Sequence, residues 1–287
     1  STRKESSAAS DVYKRQGKQD SRIVGLEADV ASSTKSGIFG NAFPERYFNV
    51  GISELNMVSM AAGLARAGAD IIALDIGDLE DTGKMVENLG RQCRCYHVDL
   101  SDSADVDEVW ARLLEEAGQV DILCNNAGMQ FRRNAFEYPE EMFDKVIAVN
   151  LKAPYRLSQK AAVHFRDKGI KGKIINTASL FTTFGGVEVS GYTCSKHGVM
   201  GMTRALSNEF APYGICVNAI APGYIATELT KAIWSDSKRR QPMDQRIPAG
   251  RWGNPDDFEG VAVFLASGAS DYITGVMIPV DGGYSAR

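Results

Sequence analysis

Ile71-Ile72-Ala73-Leu74-Asp75-Ile76 is a short apolar run that closes on a carboxylate and stops at Gly77. It is too short for a core helix and has no polar alternation. It therefore reads as a strand buried on both faces. Runs of the same kind recur at Arg94–Leu100, Val120–Asn125, Lys173–Thr177, Cys216–Ile220 and Val276–Val280. Helix-like segments lie between them, near 79–90, 102–117, 139–166, 190–212 and 255–267. Buried strands alternating with amphipathic helices predict an α/β fold, a doubly wound parallel sheet with helices on both faces, in a single domain. The segment Tyr224–Trp252 breaks the alternation; it is long and polar, as a lid over a site would be.

Upstream of Asp70 the pattern is less regular. Residues 1–20 are rich in Ser, Lys, Arg and Gln and read as a disordered or non-native leader. An apolar run at Arg22–Leu26 is followed by a Ser/Thr/Gly loop and a strand-like Arg46-Tyr47-Phe48-Asn49-Val50. Gly51 ends that strand, Ser53 can cap a helix running to about Ala67, and Gly68 stops it. The predicted extension is thus irregular but leads into the sheet, with Tyr47–Val50 able to serve as its central strand. Asn49 is a cost in that position.

The 287 residues are 44% hydrophobic and 24% charged, enough for one large α/β domain. A net charge of −4 predicts neither nucleic acid nor an anionic membrane as partner. Five cysteines in a chain of this length read as reduced thiols, which fits a cytoplasmic home, and Cys93-Arg94-Cys95 lacks metal-site spacing, so no metal is expected. The start is too polar for a signal peptide. The longest apolar stretch, Met57–Ile76, is interrupted by Arg66, Asp70 and Asp75 and is no membrane span.

The candidate chemistry lies at strand ends. Tyr192 and Lys196 are four apart in a helical pattern, so both fall on one helix face. Of the ten tyrosines, only Tyr192 has a lysine four residues on. A nearby ammonium favours the phenolate and is expected to lower the tyrosine's pKa towards a working range. Ser179 follows the strand Lys173–Thr177, and Asn150 follows the apolar Val146–Val149. Asp99-Leu100, Asn125-Asn126-Ala127-Gly128 and Pro222-Gly223 close other strands at the same edge, where open α/β sheets bind ligands.

Asp99, Asn125–Gly128, Asn150, Ser179, Tyr192-x-x-x-Lys196 and Pro222-Gly223 stand in the order and spacing of the short-chain dehydrogenase/reductase family, and the resemblance runs from about Gly63 to Arg287. Within the family, Tyr192–Val199, Ala219–Tyr224, Arg246–Gly253 and Val280–Gly283 resemble the sugar-acid dehydrogenases acting on 2-deoxy-D-gluconate or 2-dehydro-3-deoxy-D-gluconate, with gluconate 5-dehydrogenases as near relatives. The resemblance implies a Rossmann-like fold, a homotetramer and a nicotinamide cofactor. Tyr192 would exchange a proton with the substrate oxygen. Lys196 would tune it and hold the cofactor ribose, Ser179 would bind the reacting oxygen, and Asn150 would anchor a relay water. Gly51, Asp75, Asp99, Leu100, Asn126, Ala127, Gly128, Pro222, Gly223, Ile225 and Thr227 are the implied cofactor contacts, with Tyr192 and Lys196. Asp75 can accept from ribose hydroxyls and would repel a 2′-phosphate, which predicts NAD over NADP. Arg132 and Arg133 could pair with a substrate carboxylate or remain a solvated basic pair. Tyr224 is a further substrate candidate.

One family feature is missing. The glycine-rich turn Gly-x-x-x-Gly-x-Gly, which lets a helix N-terminus approach the diphosphate, falls here on Gly51, Leu55 and Met57, with Glu54 adding negative charge. Upstream, Asp29–Gly37 and Phe43–Glu54 resemble the pyrimidine-binding domain of transketolase-type thiamine diphosphate enzymes over about residues 21–68. The chain reads as a fusion joined near Gly63–Gly68. In it, residues 21–68 supply a substitute first strand and helix, and 69–287 form the dehydrogenase domain. Three readings stand: a working sugar-acid oxidoreductase, a folded hybrid unable to bind the dinucleotide, and a thiamine diphosphate-binding fragment.

Overall fold

A computed structural model of the chain describes residues 25–27, 47–49, 54–227, 230 and 234–287. Two short strands come first, β1 (Gly25–Glu27) and β2 (Tyr47–Asn49), then helix α1 (Glu54–Arg66). There follow β3 (Ile71–Asp75), α2 (Glu80–Asn88), β4 (Cys93–His97), α3 (Ser103–Ala117) and β5 (Ile122–Asn125). The chain continues through α4 (Glu140–Ile147), α5 (Ala153–Lys168), β6 (Lys173–Thr177), α6 (Ser190–Phe210) and β7 (Cys216–Pro222). It closes with α7 (Ser237–Arg246), α8 (Glu259–Ala266) and β8 (Met277–Val280). The predicted alternation from Asp70 onwards is met, except that the helix expected over 139–166 is divided by a π-helical turn into α4 and α5. α7, interrupted by Pro242, occupies the segment read as a lid.

Local chemistry sets the boundaries. Asp102 caps α3 by accepting from the Ala104 N–H, and Gly118 turns the chain away at φ 75°. Gly68, at φ 102°, ends α1 where a residue with a Cβ would be strained. The Ser53 cap expected for α1 lies outside the described residues.

All strand pairings are parallel, and β5, β6, β7 and β8 form one sheet in that order. One face is covered by α3, α5 and α6, whose Trp110, Leu113, Phe165 and Leu206 join Ile174 and Val217 in the largest core. The other face carries α1 and α8, with Met60, Phe258 and Leu265 against Ile175 and Ile220. α1 and α8 meet closely at Gly63, where an added Cβ would lie 3.0 Å from the Glu259 Cα.

Among the described residues the sheet is not continuous. There, β3 pairs only with β4, and β5 only with β6. Between the inner edges of β3 and β5 lies a cavity of about 540 Å³, walled by Ile72 and Leu74, Ile122 and Cys124, with Leu64 of α1 and Trp110 of α3 among its lining. Tyr47–Val50 is expected to fill such a place, but Tyr47–Asn49 is hydrogen-bonded to β1, in register Gly25 to Tyr47. An asparagine suits a place between two apolar strand edges poorly, since a buried amide there needs partners.

Candidate functional site

The carboxyl ends of β5, β6 and β7 open on a cavity of about 780 Å³. Asn126 and Gly128 reach it from β5, Ser179 from β6, and Pro222, Gly223, Ile225 and Thr227 from β7. Tyr192 and Lys196 enter from α6. These residues are scattered through about a hundred positions of sequence and are brought together because parallel strands all end at one edge.

Lys196 is 3% exposed, and its Nζ donates to the Thr177 carbonyl at 2.6 Å and lies 5.5 Å from the centre of the Tyr192 ring. The helical spacing thus gives the juxtaposition expected of it. The electrostatics differ from expectation. Burial pushes the Tyr192 phenol above its ordinary value, opposed by a hydrogen bond with Ser179. Burial also brings Lys196 down to about 8. Both groups have lost water, and that loss sets the direction of both shifts. The phenol is therefore a neutral proton donor at pH 7. Phe181 meets the Tyr192 ring edge to face at 6.1 Å and fixes its tilt.

Ser179 caps the turn after β6: its hydroxyl accepts from the Phe181 N–H at 3.2 Å. Asn150 is 1% exposed and sits in a π-helical turn, Ala148–Lys152, between α4 and α5. Its Oδ1 accepts from Met129 N–H at 2.8 Å, and its Nδ2 donates to the Met129 carbonyl and to Ser195 Oγ. Asn150 thereby pins the strand-end turn Asn125–Met129 to α6, and the widened turn aims it there. Asn125, by contrast, is internal, donating to Asn176 Oδ1 and Ser158 Oγ.

The remaining sequence candidates divide. Arg132 and Tyr224 line the cavity with Tyr192. Arg133 does not; it pairs with Glu137 at 3.3 Å, one turn along the same surface. Asp75 ends β3, and its Oδ1 accepts from the Gly77 N–H at 2.8 Å. Asp99 lies at the end of the neighbouring strand, its carboxyl held below the ordinary range by the Ser101 hydroxyl and N–H. Leu100 faces the slot between β3 and β5, as does Ala127. Gly51 lies outside the described residues.

The residues at the β5–β7 edge suit the nicotinamide end of a dinucleotide. Lys196 has one described acceptor for three N–H donors, and Gly128 leaves bare backbone beside it, where an added Cβ would lie 3.7 Å from Nζ. Among the described residues no group of three or more His, Cys, Asp or Glu is placed to hold a metal ion.

Sequence reasoning missed an aromatic and cationic cluster at the cavity mouth. The Arg246 guanidinium lies 4.3 Å from the Tyr284 ring centre and 5.2 Å from that of Phe184. Tyr284 in turn meets Tyr224, and Tyr224 meets Trp252, each at 5.2 Å. Burial pushes the Tyr224 phenol up to about 12, while Arg132 and Arg246 act the other way. Four separate segments, around Phe184, Tyr224, Arg246–Trp252 and Tyr284, supply this cluster, so no local signal points to it as a whole.

A family profile described as enoyl-(acyl carrier protein) reductase matches residues 58–285, and one for the transketolase pyrimidine-binding domain matches residues 3–75. The 2-dehydro-3-deoxy-D-gluconate 5-dehydrogenase of Escherichia coli (strain K12) is 47% identical over 228 residues, 79% of this chain and 90% of that one. The enzyme of the same name from Bacillus subtilis (strain 168) is 48% identical over 229 residues, covering 79% and 89%. Among solved structures, a putative 2-deoxy-D-gluconate 3-dehydrogenase from Agrobacterium tumefaciens with bound NADP is 41% identical, with a TM-score of 0.77 over 81% of this chain and 92% of that one.

Proposed function

The chain belongs to the short-chain dehydrogenase/reductase family, and on that premise we propose that it interconverts a secondary hydroxyl and a ketone on a sugar acid. What supports this reading is one observation: Ser179, Tyr192 and Lys196 converge on a single cavity at the strand ends. Tyr192 gives its proton to the substrate oxygen or recovers it, Ser179 hydrogen-bonds that oxygen, and Lys196 supplies the charge beside them. Asn150 holds the Asn125–Met129 turn and α6 in register and anchors a relay water. A bound nicotinamide dinucleotide supplies or accepts the hydride. Lys196, Asn126, Gly128, Pro222, Gly223, Ile225 and Thr227 would hold its reactive end, and Ala127, Asp99 and Leu100 would be further contacts. Arg132 and Tyr224 face the sugar acid.

The cofactor in this reading is NAD rather than NADP, because the Asp75 carboxylate at the end of β3 would repel a 2′-phosphate. The Agrobacterium tumefaciens structure with NADP pulls the other way, so the test uses both cofactors. The organisation that accompanies the reading is a leader over 1–20, a segment 21–68 contributing the first helix and the strand before it, and a dehydrogenase domain over 69–287. A homotetramer in the cytoplasm, with neither nucleic acid nor membrane as partner, completes it. No described helix is long and apolar enough to cross a membrane.

A second reading, a folded hybrid unable to hold the dinucleotide, is favoured by the open slot between β3 and β5 and by Leu55 and Met57 at glycine positions. Fluorescence titration with NADH and NADPH, followed by turnover of 2-dehydro-3-deoxy-D-gluconate, separates the two. The enzyme reading expects tighter binding of NADH, and a fall in turnover of about 10²- to 10⁴-fold on Tyr192→Phe. Absence of binding at millimolar concentrations of either cofactor sinks it.

A further inference from the structure

We propose that Arg246 is the carboxylate anchor of the substrate cavity. This rests on the sugar-acid reading above and names the residue that would impose it. Arg246 is the last residue of α7, and its side chain lines the same cavity as Ser179 and Tyr192. Its guanidinium stands against Phe184 and Tyr284, whose rings meet at 80° with centres 6.3 Å apart. Contact with two rings restricts the plane of the guanidinium and leaves its N–H edges to bond something else.

Those edges are nearly unused. Among the described residues Arg246 makes no ion pair with an Asp or Glu side chain, and its one described hydrogen bond is a long one, 3.4 Å, from Nη2 to the oxygen of Arg287. The neighbouring arginines differ. Arg240 of the same helix is tied to Asp244, and Arg251 is tied to Asp257 through two hydrogen bonds of 2.8 Å. Asp244 is also engaged, accepting from the Trp252 indole N–H at 2.8 Å. A cation held by two rings at a cavity wall, with its fork unsatisfied, matches a planar carboxylate. Tyr224 and Tyr284 beside it offer hydroxyls to the carbon chain. Bound there by one end, a linear sugar acid extends into the cavity that Ser179 and Tyr192 line.

Arg132 is a second cation at this mouth, but it is exposed, and among the described residues no ring holds it in one plane. We therefore assign the carboxylate to Arg246 and leave Arg132 an auxiliary charge.

The test is equilibrium binding, read through the fluorescence of Trp252, with D-gluconate and its neutral counterpart D-glucitol as probes. It needs no cofactor, so it is independent of dinucleotide binding. The wild-type chain is expected to prefer gluconate. Arg246→Gln is expected to weaken gluconate about 10- to 100-fold, the worth of a charge-assisted hydrogen bond, while leaving glucitol unchanged. Arg246→Lys should recover part of the loss, since an ammonium keeps the charge without the fork. Undiminished gluconate affinity in Arg246→Gln overturns the assignment, as does an equal loss for both probes, which would mark a structural role. If the wild type does not distinguish gluconate from glucitol, the sugar-acid reading itself falls and this assignment falls with it.

Discussion

At Lys196 the chain buries an ammonium with a single described acceptor, the Thr177 carbonyl. The burial depresses its pKa from an ordinary 10.5 to about 8. Below pH 8 the group is charged in both folded and unfolded states, and folding bears the whole cost of its desolvation. Between pH 8 and 10.5 the folded state has released the proton while the unfolded chain retains it, so the cost shrinks and vanishes above 10.5. Lys196→Met keeps the volume and removes the charge. It is expected to raise stability by about 1–3 kcal/mol at pH 7, with the gain fading from pH 8 upwards. Denaturant unfolding at pH 7 and pH 10 measures it. A loss of stability at pH 7 would mean that the bond to Thr177 outweighs burial. The same substitution abolishes turnover under the proposed mechanism, which would make Lys196 a site where stability is given up for function.

Elements are held in this fold by close approach as much as by apolar area. α1 reaches α8 at Gly63, where even a methyl group meets the Glu259 backbone at 3.0 Å. Gly260, one position into α8 from Glu259, has nothing within 4 Å of an added Cβ. Both glycines lie in helices, so propensity alone would favour replacing either. The structure separates them. Gly260→Ala is expected to stabilise by about 0.5–1 kcal/mol through helix propensity. Gly63→Val is expected to destabilise by about 1–3 kcal/mol, because α1 must lift off α8. Thermal unfolding of the two variants checks the contrast; a Gly63→Val protein as stable as the parent would show that α1 is not seated on α8.

At the scale of the whole molecule the split sheet dominates. A parallel α/β sheet is stable because every strand edge except the outermost is paired and both faces are covered. Among the described residues β3 and β5 turn unpaired edges towards a cavity of about 540 Å³. The amides of Ile71–Asp75 and Ile122–Asn125 that face the slot are therefore expected to exchange hydrogen faster than those of β6 and β7, which are paired on both sides. Native-state hydrogen exchange resolves this by residue. Equal protection across all four strands would place a strand in the slot and return Tyr47–Val50 to the centre of the sheet.

The linear sequence by itself determined the alternation of strands and helices from Asp70 onwards and the facing of Tyr192 and Lys196 across one helix turn. Both are legible because they depend on local periods, apolar runs and a spacing of four. Ser179 and the turn at Asn125–Gly128 were legible for a related reason, since strand ends of a parallel sheet share one edge. Only the tertiary structure decided that Arg133 turns away to Glu137, that Arg246 stands between Phe184 and Tyr284, and that β2 joins β1 and leaves a slot beside β3. It also decided the direction of the Tyr192 and Lys196 shifts, since the spacing of the pair supplies a charge but says nothing of the water both groups lose. The physical reason is common to all of these. Periodicity is a property of neighbours along the chain, whereas pairing, desolvation and the satisfaction of charge depend on which distant segments come to lie side by side.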